Sequence, residues 1–516
     1  MTNAVANTVA DTGLPDPTTR KFITASVMAA TVMNSLDSTI ANVALPHMQG
    51  SVSASADQIT WVLTSYIVAA AIVTPLTGWM AGRFGRKRLM LYSIIGFTIA
   101  SGLCGVATSL GELVGFRLLQ GVFGAALVPM SQAILLDINK PEDHGSAMSI
   151  WGMGAILGPI VGPALGGWLT DNYDWRWVFF INLPIGVLAF AGLYFFLSET
   201  KSIEKIKLDL FGFAMLALAI ASFQVMLDRG QQLDWFSSRE IIIEAALAVF
   251  FFYLFIVQTL TAKKPFIDIA LFADRNFVAS SVLGFFLGVL IFSVLALLPP
   301  MLEGLMGYPV VLTGLVTAPR GLGTMISMIT VGQLIKRVDP RLLIGTGLMI
   351  AAYSTWRMSG FSLGMDERLI VSTGFIQGLG TGLVFVPLST VAFATLDSRL
   401  RNEGAAMFTL IRNIGSAIGI SVLQFMTIRN TDTVHARLVE GVRPDNPAMT
   451  AAMPDFDFTS LSDLARLNGE ITRQASMVSY IDAFYALFVV TLITAPLIFL
   501  MRPPRKGAAA PTMHMD

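Results

Sequence analysis

The feature that most constrains this chain is a recurring apolar stretch. A helix needs about 20 consecutive apolar residues to cross a hydrocarbon layer of about 30 Å. About fourteen such stretches occur among the 516 residues, the first at 22–45 and the last at 477–501. In lipid an unpaired backbone N–H or C=O has no water to turn to, so only helices and closed barrels span a membrane, and long apolar runs with short connections exclude the barrel. The fold class is therefore all-α and integral to the membrane, with the lipid bilayer as first partner. Composition agrees: 13% of the residues are charged and 54% hydrophobic, against about a quarter charged in a soluble domain.

Lys and Arg set the orientation, because they accumulate on the cytoplasmic side of short loops. Placing the N-terminal tail inside puts 21 of them in inside segments, and leaves Arg176, Arg229, Arg239 and Arg368 in short outside loops. Both termini are thus expected in the cytoplasm, with short tails at 1–20 and 502–516. Residues 1–20 carry Pro15 and Pro17 and lack an apolar core, so they read as disordered rather than as a cleavable signal. One outside connection, 428–475, is long and rich in Asp; it reads as an exposed loop in which 460–474 can form a short amphipathic helix. The formal net charge is zero, and nothing points to nucleic acid.

The chain also resembles itself. Gln120-Gly121 followed by Val128-Pro129-Met130-Ser131 recurs as Gln377-Gly378 followed by Val386-Pro387-Leu388-Ser389. Gly145-Ser146-Ala147-Met148 recurs as Gly404-Ala405-Ala406-Met407, and Gly78 with Arg83 recurs as Gly332 with Arg337. The offsets run from 254 to 259 residues and pair each stretch with the one eight places on. Two six-helix halves joined directly would give an offset of six, so two extra helices lie between them. The implied division is 21–200 for the first half, 201–265 for the inserted pair and 266–501 for the second half. Parallel six-helix repeats, with a binding site near the midplane between them, are a recurrent transporter design.

Charged and small residues inside the spans mark where the chemistry lies. Asp37 stands eight residues from the outer end of the first stretch and Arg117 about five from the outer end of the fourth, which is about 12 Å and about 8 Å at 1.5 Å per residue. They share a depth. Asn34, Ser38 and Asn42, at spacing four, form a polar face beside Asp37 suited to a watery cavity. An arginine within a span costs about 2.5–3.5 kcal/mol on insertion scales, so it faces a polar interior and has a role there; Arg117, Arg320 and Arg412 are such residues. Desolvation favours the protonated form of a carboxylate, and a nearby arginine favours the ionised form. A cavity that opens and closes alters that balance, so Asp37 and Arg117 are the candidates for proton coupling. Asn34, Ser38, Asn42, Gln120, Arg320, Gln377 and Arg412 are the candidates for lining a substrate cavity. A static Asp37–Arg117 pair that holds two helices together is the plainer alternative.

Two further patterns are made of glycine. After the second stretch the chain reads Gly78-Trp79-Met80-Ala81-Gly82-Arg83-Phe84-Gly85-Arg86-Lys87-Arg88, where glycines permit a tight turn and the basic cluster holds the loop at the cytoplasmic face. The fifth stretch carries Gly154, Gly158, Gly162 and Gly166 with Pro159 and Pro163. Spacing four keeps these glycines on one face, so a neighbouring helix can approach closely, and the prolines bend the span.

On these residues the chain resembles the major facilitator superfamily. The loop from Gly78 to Arg88 is similar to the family's signature loop, tied to conformational switching, although Gly82 stands where the usual acid would be. The run Arg117-Leu118-Leu119-Gln120-Gly121 looks like the motif whose arginine the family implicates in proton transfer. The run from Gly154 through Gly158-Pro159 to Gly162 is similar to the motif of the antiporter branch. Leu36-Asp37-Ser38-Thr39-Ile40-Ala41-Asn42-Val43-Ala44-Leu45-Pro46 resembles the first-helix signature of the EmrB/QacA subfamily of fourteen-helix drug:proton antiporters. The resemblance implies a major facilitator fold in the cell (inner) membrane. Its implied activity is proton-coupled efflux of small lipophilic or amphipathic compounds by alternating access, with protons and small-molecule substrates as partners. It also permits a periplasmic adaptor protein as a partner. A dedicated exporter or importer of a single metabolite on the same fold is the alternative. An enzyme would need a catalytic constellation, and the sequence has no HExxH, no Walker loop and a single cysteine, Cys104; no metal and no cofactor are expected.

Overall fold

The computed structural model describes residues 15–199, 208–335, 337–443, 445–453 and 456–502. Most of the two expected tails, and Lys201, Lys205, Lys207, Lys336, Arg505 and Lys506 of the charge pattern, lie outside these residues. Each apolar stretch is helical, and no strand occurs among the described residues. In chain order the long helices are α1 (Pro17–Ser51), α2 (Trp61–Val73 and Leu76–Phe84), α3 (Arg86–Val106), α4 (Leu110–Ile138), α5 (His144–Asn172), α6 (Trp177–Phe196) and α7 (Leu210–Arg229). They continue as α8 (Arg239–Thr261), α9 (Arg275–Leu305), α10 (Val310–Leu334), α11 (Pro340–Met358), α12 (Glu367–Ala394), α13 (Arg401–Val439) and α14 (Leu461–Leu500). Eleven are long and apolar enough to cross a membrane, with α2 counted as one span bent by 58°. The bend falls at Pro75, where a ring replaces the N–H that would continue the ladder. The other three, α1, α10 and α11, are richer in polar and small residues.

The contact pattern repeats at the same eight-helix offset as the sequence. In the first half α1 packs on α5 and α6, α2 on α4, and α3 on α4 and α6; in the second α9 packs on α13 and α14, α10 on α12, and α11 on α12 and α14. The inserted α7 lies against the outer part of α2 and touches α13, where Ser421 donates to the Leu227 carbonyl at 2.6 Å. Its partner α8 packs mainly on α7, and most of its surface is left to face lipid.

Two expectations about helix ends are corrected. The helix at the N-terminus starts at Pro17, inside the expected tail of 1–20, because Asp16 accepts from the Thr18 and Thr19 amides at 3.1 Å and Pro17 fills the first turn. The expected outside loop of 428–475 is largely helix: α13 runs on to Val439, and the helix allowed for at 460–474 is the first part of α14, which starts at Leu461. The two extensions are tied together by Thr431 to Ser479 at 3.1 Å and by His435 to Asn468 at 3.0 Å. Apolarity marks where lipid ends, whereas a helix ends only where its backbone bonds do.

Candidate functional site

Asp37 and Arg117 come from helices that cross at the same depth, and their side chains meet. Arg117 donates Nη1 to Asp37 Oδ2 at 2.7 Å, and the two side chains are 1% and 0% exposed. The same Nη1 reaches Gln120 Oε1 at 2.8 Å, and Nε reaches the Val62 carbonyl of α2 at 3.1 Å. Gln120 and Asn182 both donate to Asp37 Oδ1, at 2.8 and 2.9 Å. Asn182 also donates to Ser101 Oγ at 3.0 Å, and the Ser101 hydroxyl donates to the Phe179 carbonyl at 2.8 Å. The guanidinium lies 4.3 Å from the centre of the Tyr66 ring, an attraction of cation to ring quadrupole that strengthens away from water. Five helices, α1, α2, α3, α4 and α6, thus converge on one carboxylate.

The chain could not bury this pair cheaply without those bonds. An ion pair away from water is tolerated only where further hydrogen bonds satisfy its remaining donors and acceptors, and removing one partner of such a pair costs about 3–5 kcal/mol. Asn182, Ser101 and Tyr66 escape the sequence reading. Asn182 leaves one legible trace, an amide set in the otherwise apolar run Phe179-Phe180-Ile181-Asn182-Leu183; Ser101 and Tyr66 leave none.

The polar face of α1 divides. Asn34 turns inward, donating to Tyr66 Oη at 3.0 Å and to the Gly124 carbonyl at 3.3 Å. Ser38 and Asn42 are exposed. A hydroxyl and an amide at membrane depth face water rather than lipid, so this face borders an aqueous cleft. Arg320, Gln377 and Arg412 lie in the second half, apart from the Asp37 cluster, and all three are buried. Asp228 of α7 is turned toward α2, where its side chain hydrogen-bonds Thr64.

The glycine face of α5 lies on α1. A Cβ at Gly158 would overlap the Ser35–Leu36 backbone, and those at Gly154, Gly162 and Gly166 would meet Met28, Thr39 and Ile40. Thr39 also reaches the Gly158 carbonyl at 3.3 Å. Pro159 and Pro163 sit within α5.

The segment from Gly78 to Arg88, expected as a loop, is helix on either side of Gly85, and it closes the face that the basic residues assign to the cytoplasm. Gly85 turns the chain with φ of 88°, a conformation that disfavours any side chain. Arg86 pairs with Asp137 at the inner end of α4 and donates Nε to Asn402 of α13 at 2.7 Å. Arg401 stands 3.9 Å from the same Asp137. A Cβ at Gly78 would come 2.9 Å from the Glu403 Cα. Lys87 donates to the Tyr194 carbonyl at 2.9 Å, Arg88 pairs with Glu199 at 3.4 Å, and Arg83 is exposed. The acid missing at Gly82 therefore does not leave the loop without an ion pair, because Asp137 supplies the carboxylate. Nearby, Ser146 donates to the Gly332 carbonyl at 3.1 Å, and Trp151 stacks on Phe385 with ring centres 5.6 Å apart. The halves are sealed at this face, while Ser38 and Asn42, nearer the other end of α1, are exposed.

Duplicated helical halves that meet at a face sealed by ion pairs, with a further ion pair buried inside the first half, are the architecture of a multi-span membrane transporter. The family model of the Major Facilitator Superfamily matches residues 27–420. Multidrug export protein EmrB of Escherichia coli (strain K12) is 37% identical over 94% of this chain and 95% of that protein. Fatty acid resistance protein FarB of Neisseria gonorrhoeae is 33% identical over 94% of this chain and 96% of its own length. Among solved structures, the proton:xylose symporter XylE superposes with a TM-score of 0.56 at 12% identity, covering 92% of this chain and 95% of that one; this likeness concerns the fold alone. The chain belongs to the major facilitator superfamily, in its EmrB subfamily, and is a multi-pass protein of the cell inner membrane.

Proposed function

We propose that this transporter exports small lipophilic or amphipathic compounds in exchange for protons, by alternating access, and that Asp37 carries the proton. Similarity to EmrB supports export of drugs. The single observation that carries the coupling reading is the Asp37–Arg117 pair at 2.7 Å, buried beside the open polar face of α1. An ionised Asp37 holds Arg117 in place. A proton on Asp37 removes the charge that Arg117 answers to and leaves a buried cation unpaired, which is costly. Arg117 must then swing or the helices must separate, and binding of the proton becomes linked to a change of shape. The inner seal at Arg86, Asp137, Asn402 and Arg401 is what that change has to break.

The test is transport in proteoliposomes with an imposed pH gradient, over a panel of dyes and drugs. Asp37→Asn keeps shape and most hydrogen bonding but cannot titrate. It is expected to insert normally and bind substrate while losing gradient-driven efflux by at least about a hundredfold. Efflux at the native rate by this variant would remove Asp37 from the mechanism and favour the static-pair reading.

A further inference from the structure

The inserted helix α7 touches both halves. It packs mainly on three elements: its partner α8, the outer piece of α2 (Trp61–Val73) and α13. Its attachment toward α13 is made twice. At the inner end the Phe213 ring lies 5.3 Å from Phe266 in the connector 262–274, and Gln258 of α8 donates to Asp209 at the head of α7 at 3.0 Å. The connector is in turn held by the first turn of α13. The Asp268 amide donates to Glu403, and fully buried Leu271 lies where a Cβ at Gly404 would be 3.4 Å from it. At the outer end Ser421 donates to the Leu227 carbonyl at 2.6 Å, and the Trp235 ring stands 5.5 Å from Phe425. Asp234 and Trp235 take φ of 55° and 51° there, a left-handed conformation that such side chains keep only where the surroundings impose it. The inserted pair is thus an arm fixed to α13 at both ends.

The arm bears on α2. The Arg229 guanidinium lies 5.8 Å from the centre of the Trp61 ring, and the Asp228 side chain hydrogen-bonds Thr64. Arg229 is itself paired with Glu240 of α8. The outer piece of α2 is a short rod bent by 58° from the rest of the span, so what flanks it sets its pose. On another side it holds Arg117: the Val62 carbonyl accepts from Nε at 3.1 Å, and the Tyr66 ring lies 4.3 Å from the guanidinium. Two residues turn a helix through about 200°, so Thr64 and Tyr66 point opposite ways. One rod is held between α7 and Arg117.

We propose that the inserted pair is a coupling arm, which carries the stance of the second half to Arg117 through the outer piece of α2, with Trp61, Thr64, Asp228 and Arg229 as positioning residues. The proposal rests on the coupling reading of Asp37 and Arg117. When α13 turns, α7 turns with it and presses the rod to a new pose. The Val62 carbonyl and the Tyr66 ring then shift against Arg117, so its hold on Asp37 depends on where both halves stand.

The test compares gradient-driven efflux in proteoliposomes with binding to the full-length protein in nanodiscs without a gradient. The probe is the dye of the panel above that the native protein exports fastest. Trp61→Leu, at the outer end, and Phe266→Ala, at the inner, are each expected to lower efflux about fivefold and to leave dye binding within about twofold. Phe266→Leu keeps most of the bulk and should restore efflux. Phe213 and Arg229 are 16 residues apart, about 24 Å along the helix. Changes that distant ordinarily multiply, whereas two breaks in one arm do not, so the double variant should lose about fivefold and not about twenty-fivefold. Native efflux by either single variant, losses that multiply, or dye binding that falls as far as efflux would each overturn the proposal. Asp37→Asn is the control. Native efflux by it would remove the coupling reading and the arm with it; loss by it beside native efflux in both arm variants would remove the arm alone.

Discussion

Asp37 accepts three side-chain hydrogen bonds, from Arg117, Gln120 and Asn182, and an ionised carboxylate has about four acceptor positions in all. The site is close to saturated, so each donor is positioned as tightly as the acid. Arg117 does three things at once: it pairs with Asp37, ties Gln120 and reaches the Val62 carbonyl with a different nitrogen. A lysine has the charge but not the planar fork. Arg117→Lys should therefore insert and fold yet transport at about a tenth of the native rate or less, a loss of about 1.4 kcal/mol; native transport by this variant would show that charge alone is needed. Asp37 and Arg117 were legible because a charge inside an apolar run stands out in any sequence. Asn182, Ser101 and Tyr66 were not, since a neutral polar side chain acquires its role only from what the fold brings to it.

At the scale of elements, the close approach of α5 to α1 rests on four glycines, and Gly158 is the least accommodating because the atoms opposite it are backbone, which cannot rotate away. Gly158→Leu must part the two helices, and with them the α1 face that carries Asp37. Transport should be abolished or uncoupled from the gradient while much of the protein still inserts; wild-type transport would show that the glycine face is not needed. The inner seal makes a different demand. Asp137 faces both Arg86 and Arg401, so Asp137→Asn leaves two cations facing each other. The population open to the cytoplasm should rise on the order of tenfold, about 1.4 kcal/mol, read as faster labelling of a cysteine placed at Ser146. Unchanged labelling would mean that packing alone holds this face closed. The loop's glycines and arginines were plain in the sequence. The identity of its acid was not, because Asp137 lies 51 residues downstream of Arg86 and only the crossing of helices joins them.

For the whole molecule, the repeat was the most legible feature: an offset read from a few short motifs reappears as one pattern of helix contacts in both halves. Which face is sealed was not legible, because the seal joins residues from both halves, such as Arg86 and Asn402, that only the packing brings together. The reach of α13 past 428 was also hidden, because polarity marks where lipid ends and not where a helix does, whereas the helix over 460–474 was legible. That extension has a mechanical consequence. From Arg412 to Val439, α13 runs 27 residues without a break, about 40 Å of stiff rod. Rocking of one half by on the order of 15° would sweep its tip by about 10 Å, several times the displacement at the buried end. Under the exchange of states proposed above, the hairpin acts as a lever that magnifies small rotations near Arg412 into large excursions at Val439. Spin labels at His47 and Arg437 should change separation by about 10 Å between the two states, and a fixed separation during active transport would show that the rod does not move with its half.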